Sequence, residues 1–134
     1  MRFLPVLLLL LAAFGCFSDA SPMDTAKEFI SKLKAAIDSH DRGIISGVLT
    51  DKFTYAKCST EIKKDAVVSS LAEIKQGTEY TITIKKVSEQ RELIRIDVSI
   101  TGLSFPSTMV FFIKEVDGIW KLAMAVSYCI NMLF

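Results

Sequence analysis

Few side chains in this sequence have the chemistry to carry a reaction. His40 is its one histidine and stands between Ser39 and Asp41. Ser, His and Asp are the residue types of a nucleophilic triad. Such triads assemble in space, however, and neighbours in sequence rarely reach that geometry. The ordinary reading is a histidine at a helix end, interacting with the dipole. The cysteines are Cys16, Cys58 and Cys129, so no histidine- or thiolate-rich zinc set can form. Asp38, Asp41 and Asp51 are too spread along the chain to make a carboxylate cluster. A Gly-rich phosphate loop and a G-x-S-x-G turn are both missing. No catalytic residue is assigned, and neither a metal nor a cofactor is expected.

A second set of side chains suits binding. Tyr55, Tyr80, Tyr128 and Trp120 each carry an apolar body with one polar tip. Such groups orient ligands at the mouth of an apolar pocket. The alternative is core packing with the polar tips at the periphery. Met109, Met124 and Met132 fit the same two roles, with gap-filling the simpler one.

The first residues, MRFLPVLLLLLAAFGCFSDA, have the layout of a secretory signal peptide. Arg2 gives the positive start, Phe3 to Phe14 the apolar run, and Ser18 and Ala20 the small residues of a cleavage site. The run is shorter than the roughly 20 residues that span a bilayer. The expected organisation is a signal over 1–20 and one domain over 21–134 in a secreted, extracellular protein. Cleavage removes Cys16, leaving Cys58 and Cys129. In a secreted chain that pair reads as a disulfide, and the alternative is two separate buried thiols. A bridge closing so long a loop contributes about 4 kcal/mol through the unfolded state. The formal net charge is +1, and charges of both signs are interspersed. Nucleic-acid binding normally needs a basic stripe, so no nucleic-acid partner is expected. No membrane partner is expected after cleavage.

The elements that would position these groups follow from periodicity. Ala26, Phe29, Ile30, Leu33 and Ile37 share one face of a helix over Asp24–Ser39, with Ser21 and Pro22 as its start signal. Asp41 reads as the N-cap of a shorter helix with Ile44, Ile45, Val48 and Leu49 on its apolar face. Phe53–Ala56 is a brief extended stretch. Ser59 or Thr60 then caps a third helix reaching about Gln76, with Gly77 as its C-cap glycine.

From Thr78 the period becomes two. Tyr80, Ile82 and Ile84 form one strand, and Ile94, Ile96, Val98 and Ile100 the next. Gly102–Ser107 is a turn with Phe105 and Pro106 exposed at its tip. Thr108–Val116 is a strand apolar on both faces. Asp117-Gly118 signals a tight hairpin into a last strand, Ile119–Ile130. That strand carries Trp120, Leu122, Met124, Val126 and Tyr128 on one face and Ala123, Ala125, Ser127 and Cys129 on the other. Helices grouped before a meander indicate an α+β fold with one sheet face covered.

Two segments carry a family likeness. One is Ala35-Ala36-Ile37 through Asp41, Ile45, Leu49, Asp51 and Phe53. The other is Phe111-x-x-Lys114-x-x-Asp117-Gly118-x-Trp120-Lys121-Leu122. In this order they resemble the nuclear transport factor 2-like superfamily, also called SnoaL-like or ketosteroid-isomerase-like. The chain is most similar to small secreted nematode members with a cysteine pair.

The resemblance implies a curved antiparallel sheet wrapped as a cone around about three N-terminal helices. It also implies an apolar pocket at the open end and an outer sheet face that often forms a homodimer. On that picture Leu33, Tyr55, Tyr80, Trp120, Met124 and Tyr128 are the candidate pocket lining. Strand parity would then bring Cys58 and Cys129 to the same outer face. Steroid-isomerising members place a carboxylate base on the short strand and a tyrosine on the first helix. Here those positions are Lys57 and Leu33, and neither matches. The expectation is a non-catalytic domain that binds a small apolar ligand or a protein partner. An isomerase- or dehydratase-like enzyme with an unrecognised site is the alternative.

Overall fold

The first helix, α1, shows how closely local chemistry sets an element here. In the computed structural model, which describes residues 21–103 and 108–128, α1 spans Pro22–Ser39. Ser21 Oγ accepts from the Asp24 backbone N–H at 3.1 Å, and Pro22 supplies the first-turn φ. Ala26, Phe29, Ile30, Leu33, Ala36 and Ile37 are buried along one stripe. His40 ends the helix in the left-handed region (φ 56°), its N–H donating to the Ile37 carbonyl. The Asp41 carboxylate caps α2 (Arg42–Gly47) by accepting from the Ile44 N–H at 3.0 Å. Only Ile45 of α2 is buried, while Ile44 is half exposed.

The chain then enters β1 (Leu49–Lys57), turns at Cys58 (φ 59°), and returns as β2 (Thr60–Lys63). This corrects the expected start of the third helix. Thr60–Lys63 pairs antiparallel with Thr54–Lys57, because a ladder along β1 satisfies backbone groups that a helix there would leave β1 without. Helix α3 covers only Lys64–Ala72 and has no side-chain N-cap. It ends before Gly77, whose φ of 86° belongs to the Lys75–Thr78 turn.

The remaining strands are β3 (Thr81–Gln90), β4 (Leu93–Thr101), β5 (Thr108–Val116) and β6 (Ile119–Ser127). Asp117 and Gly118 both take positive φ between β5 and β6, as a two-residue hairpin requires. The six strands form one curved sheet in the order β2-β1-β6-β5-β4-β3. Neighbours are antiparallel except β1 and β6, which run parallel. The three helices fill the concave side. Ile94, Ile96, Val98 and Ile100 of β4 face them, each almost wholly buried. The signal-like segment 1–20, the Phe105–Pro106 tip, Cys129 and the tail through Phe134 lie outside the described residues.

One irregularity decides which side chains face inward. Phe112 pairs with Met124 but Ile113 pairs with Leu122, so Ala123 is an extra residue on β6. A bulge of this kind reverses face for everything beyond it. Leu122 points inward before it, whereas Ala125 and Ser127 are the buried residues after it. Met124 and Tyr128 are exposed instead, 38% and 58% accessible. The expected single face from Trp120 to Tyr128 is therefore broken at Ala123. The parity argument that put Ser127 and Cys129 outward loses its basis, since Ser127 is 2% exposed.

Candidate functional site

Inside the curve of the sheet lies a cavity of about 210 Å³. Its wall draws on nearly every element: Leu33 and Ile37 from α1, Phe53 and Tyr55 from β1, Val67 and Leu71 from α3, and Met109 and Phe111 from β5. Ile100, Leu122 and Ala125 complete the sheet side. These residues meet because α1 and α3 each present one apolar stripe to the same concave face. The polar exceptions are Tyr55, Lys57 and Ser70. Tyr55 Oη donates to Ser127 Oγ at 2.9 Å. Lys57 ends β1 at the cavity mouth and is itself exposed.

A wider groove of about 570 Å³ opens on the surface where α1 ends beside β3. It is built around Tyr80, which is buried. Tyr80 Oη donates to Asp38 Oδ1 at 2.8 Å. Lys34 Nζ bonds Asp38 Oδ2 at 3.2 Å and sits 4.4 Å from the Tyr80 ring centre. Burial, and then the Asp38 hydrogen bond, push the Tyr80 hydroxyl far above its ordinary range. The same hydrogen bond, assisted by Lys34, holds the Asp38 carboxyl low despite some desolvation. Gly102 closes the groove with φ 95°, where a Cβ would lie 2.3 Å from the Glu79 carbonyl oxygen.

The six expected lining residues thus part company. Leu33 and Tyr55 stand in the cavity wall. Tyr80 belongs to the groove. Trp120 is half buried against the core, its carbonyl accepting from Lys32 Nζ at 2.9 Å. Met124 and Tyr128 are on the outer face, turned there by the bulge. The lining expected from sequence did not include Lys57, Ile62 or the inner residues of β5. Alternation along Met109, Phe111 and Ile113 carried the last of these signals.

The Ser39-His40-Asp41 run is spent on helix ends. Ser39 Oγ donates to the Ala36 carbonyl at 2.6 Å, and Asp41 caps α2. Among the described residues, no three His, Cys, Asp or Glu side chains gather as a metal would require.

A family model described as NTF2-like domain matches residues 23–128. The chain belongs to this family. Among solved structures, an NTF2-like protein from Cytophaga hutchinsonii ATCC 33406 superposes with a TM-score of 0.65 at 15% identity. That match covers 83% of this chain and 100% of the other. An NTF-2 like protein of unknown function from Silicibacter pomeroyi DSS-3 gives 0.64 at 13% identity, covering 78% and 92%. One of unknown function from Shewanella baltica OS155 gives 0.62 at 14%, covering 76% and 88%. No curated protein matches. At these identities the NTF2-like likeness is one of fold. Lys57 and Leu33 both border the cavity.

Proposed function

We propose that this NTF2-like domain is a secreted, non-catalytic binder of a small apolar ligand held inside the cone. The observation that carries the reading is the cavity of about 210 Å³ with an almost wholly apolar wall. Its one charged wall residue, Lys57, is exposed, whereas a lysine that serves as a base is one that burial has made readier to lose its proton. An apolar cavity with a few polar groups at one end binds by burial and orients by those groups. Native mass spectrometry of the protein from its natural secretion tests this. A bound small molecule of low polarity is expected, and an empty protein that also takes up no 1-hexanol would overturn it.

Secretion rests on the layout of residues 1–20. The Cys58–Cys129 bridge belongs to the same proposal. Lys57 pairs with Ser127 and the Cys58 N–H donates to the Ser127 carbonyl at 3.4 Å, which brings Cys58 alongside the end of β6. Non-reducing peptide mapping is expected to recover the two cysteines in one linked peptide pair.

A second reading, assembly of two copies through the outer sheet face, is favoured by Met124 and Tyr128 standing exposed there. Met124→Lys is then expected to shift the protein from dimer to monomer in sedimentation.

A further inference from the structure

We propose that the ligand taken into the cavity is a small amphiphile with a carboxylate head, its apolar body inside the cone and its head between Lys57 and the Tyr55–Ser127 hydroxyl pair. This rests on the binding reading above and names the ligand class.

Two of the three polar lining residues, Tyr55 and Lys57, stand together on β1. Tyr55 and Lys57 are two apart on β1 and both border the cavity. In the β1–β6 register Tyr55 pairs with Ala125, while Lys57 pairs with Ser127. Tyr55 nevertheless reaches Ser127 Oγ. Its hydroxyl therefore lies at the level of Lys57 and not at that of its own backbone partner.

A proton count shows what this end lacks. Two hydroxyls hold two protons, and the bond between them uses one. No other side-chain hydrogen bond of either group is present among the described residues. One O–H donor is left over beside a serine that is 2% exposed, where an unspent donor is costly. Lys57 adds an ammonium that forms no ion pair with any described residue. Lys57 and the one spare O–H of the pair thus offer donors at this end, and no carboxylate borders the cavity to accept from them. An anionic oxygen head matches that set, and a cationic head would meet like charge.

The size selects a small body. A cavity of about 210 Å³ is below the roughly 300 Å³ lower end of drug-sized pockets. It equals the liquid share of about seven waters.

The test compares hexanoate, 1-hexanol and hexyltrimethylammonium binding to delipidated protein by calorimetry, all at concentrations where they are dissolved as single molecules. Hexanoate is expected to bind roughly 5-fold tighter than 1-hexanol, the scale of an accessible ion pair, and the ammonium weakest. Lys57→Gln should remove the hexanoate preference while leaving 1-hexanol affinity in place, and that retained affinity also reports a folded cavity. Lys57→Arg should restore the preference, and Tyr55→Phe should weaken it. Equal affinity for hexanoate and 1-hexanol, or a preference that survives Lys57→Gln, overturns the carboxylate assignment and leaves cavity binding standing. Uptake of none of the three probes overturns both.

Discussion

Two tyrosines on the concave side of this protein have been put to opposite uses. Tyr80 meets a charged partner at the surface, and the cluster around it is complete: Asp38 takes the hydroxyl on one oxygen and Lys34 on the other. Tyr55 meets a buried neutral hydroxyl, and that pair has a donor to spare. The first arrangement locks α1 to the start of β3 and leaves little for a ligand to do. The second spends less of its hydrogen-bonding capacity on the fold and borders the apolar cavity. The wider of the two depressions is thus the structural one, because volume open to solvent supplies no burial.

This contrast can be broken most forcefully at Gly102. A side chain there needs a positive φ and overlaps the Glu79 carbonyl, so Gly102→Ala is expected to cost about 3 kcal/mol in urea denaturation. A cost under 0.5 kcal/mol would show that the groove rim yields freely. Ala125→Leu sharpens the other side. It pushes a larger side chain into the cavity wall and is expected to lower 1-hexanol affinity at least tenfold, for a stability change of about 1 kcal/mol.

Tyr80→Phe removes the hydrogen bond to Asp38, at about 1 kcal/mol near neutral pH. Its pH dependence has a defined sign. Tyr80 is raised when folded, so the stability it contributes is full below its unfolded value of 10.0 and declines as pH climbs above it. Asp38 is lowered when folded, so its contribution is present above 3.8 and declines as pH falls below that. The difference between wild type and Tyr80→Phe should form a plateau between these limits and shrink on both sides. A difference that grows above pH 10 would contradict the assignment. The smallest effect is expected at Arg42, whose ion pair to Glu73 at 3.5 Å is exposed at both ends. Arg42→Ala should change stability by about 0.5 kcal/mol or less.

Local order was legible wherever one residue type has one local use. Ser21 and Asp41 cap helices because their side-chain oxygens reach the free N–H groups of the next turn. Asp117-Gly118 makes a hairpin because both residues take positive φ readily. The α1 stripe and the β4 alternation announced their buried faces for the same reason. Thr60–Lys63 was misread because a short polar stretch beside a helix carries no period of its own. Only the ladder offered by β1 makes it a strand. The candidate site was half legible. Leu33 and Tyr55 followed from the resemblance, while Met124 and Tyr128 did not survive a bulge that leaves no mark in composition.

The sequence by itself determined the α+β class, the caps, the hairpin and the scarcity of catalytic groups, since each depends on neighbours a few residues apart. The tertiary structure alone decided that β1 lies parallel to β6, that Ala123 reverses the inner face, and that Tyr55, bonded to Ser127, and Lys57 both border an apolar cavity. Those outcomes depend on which strand supplies the missing hydrogen bonds to another far along the chain. That competition is settled only when the whole sheet closes around its helices.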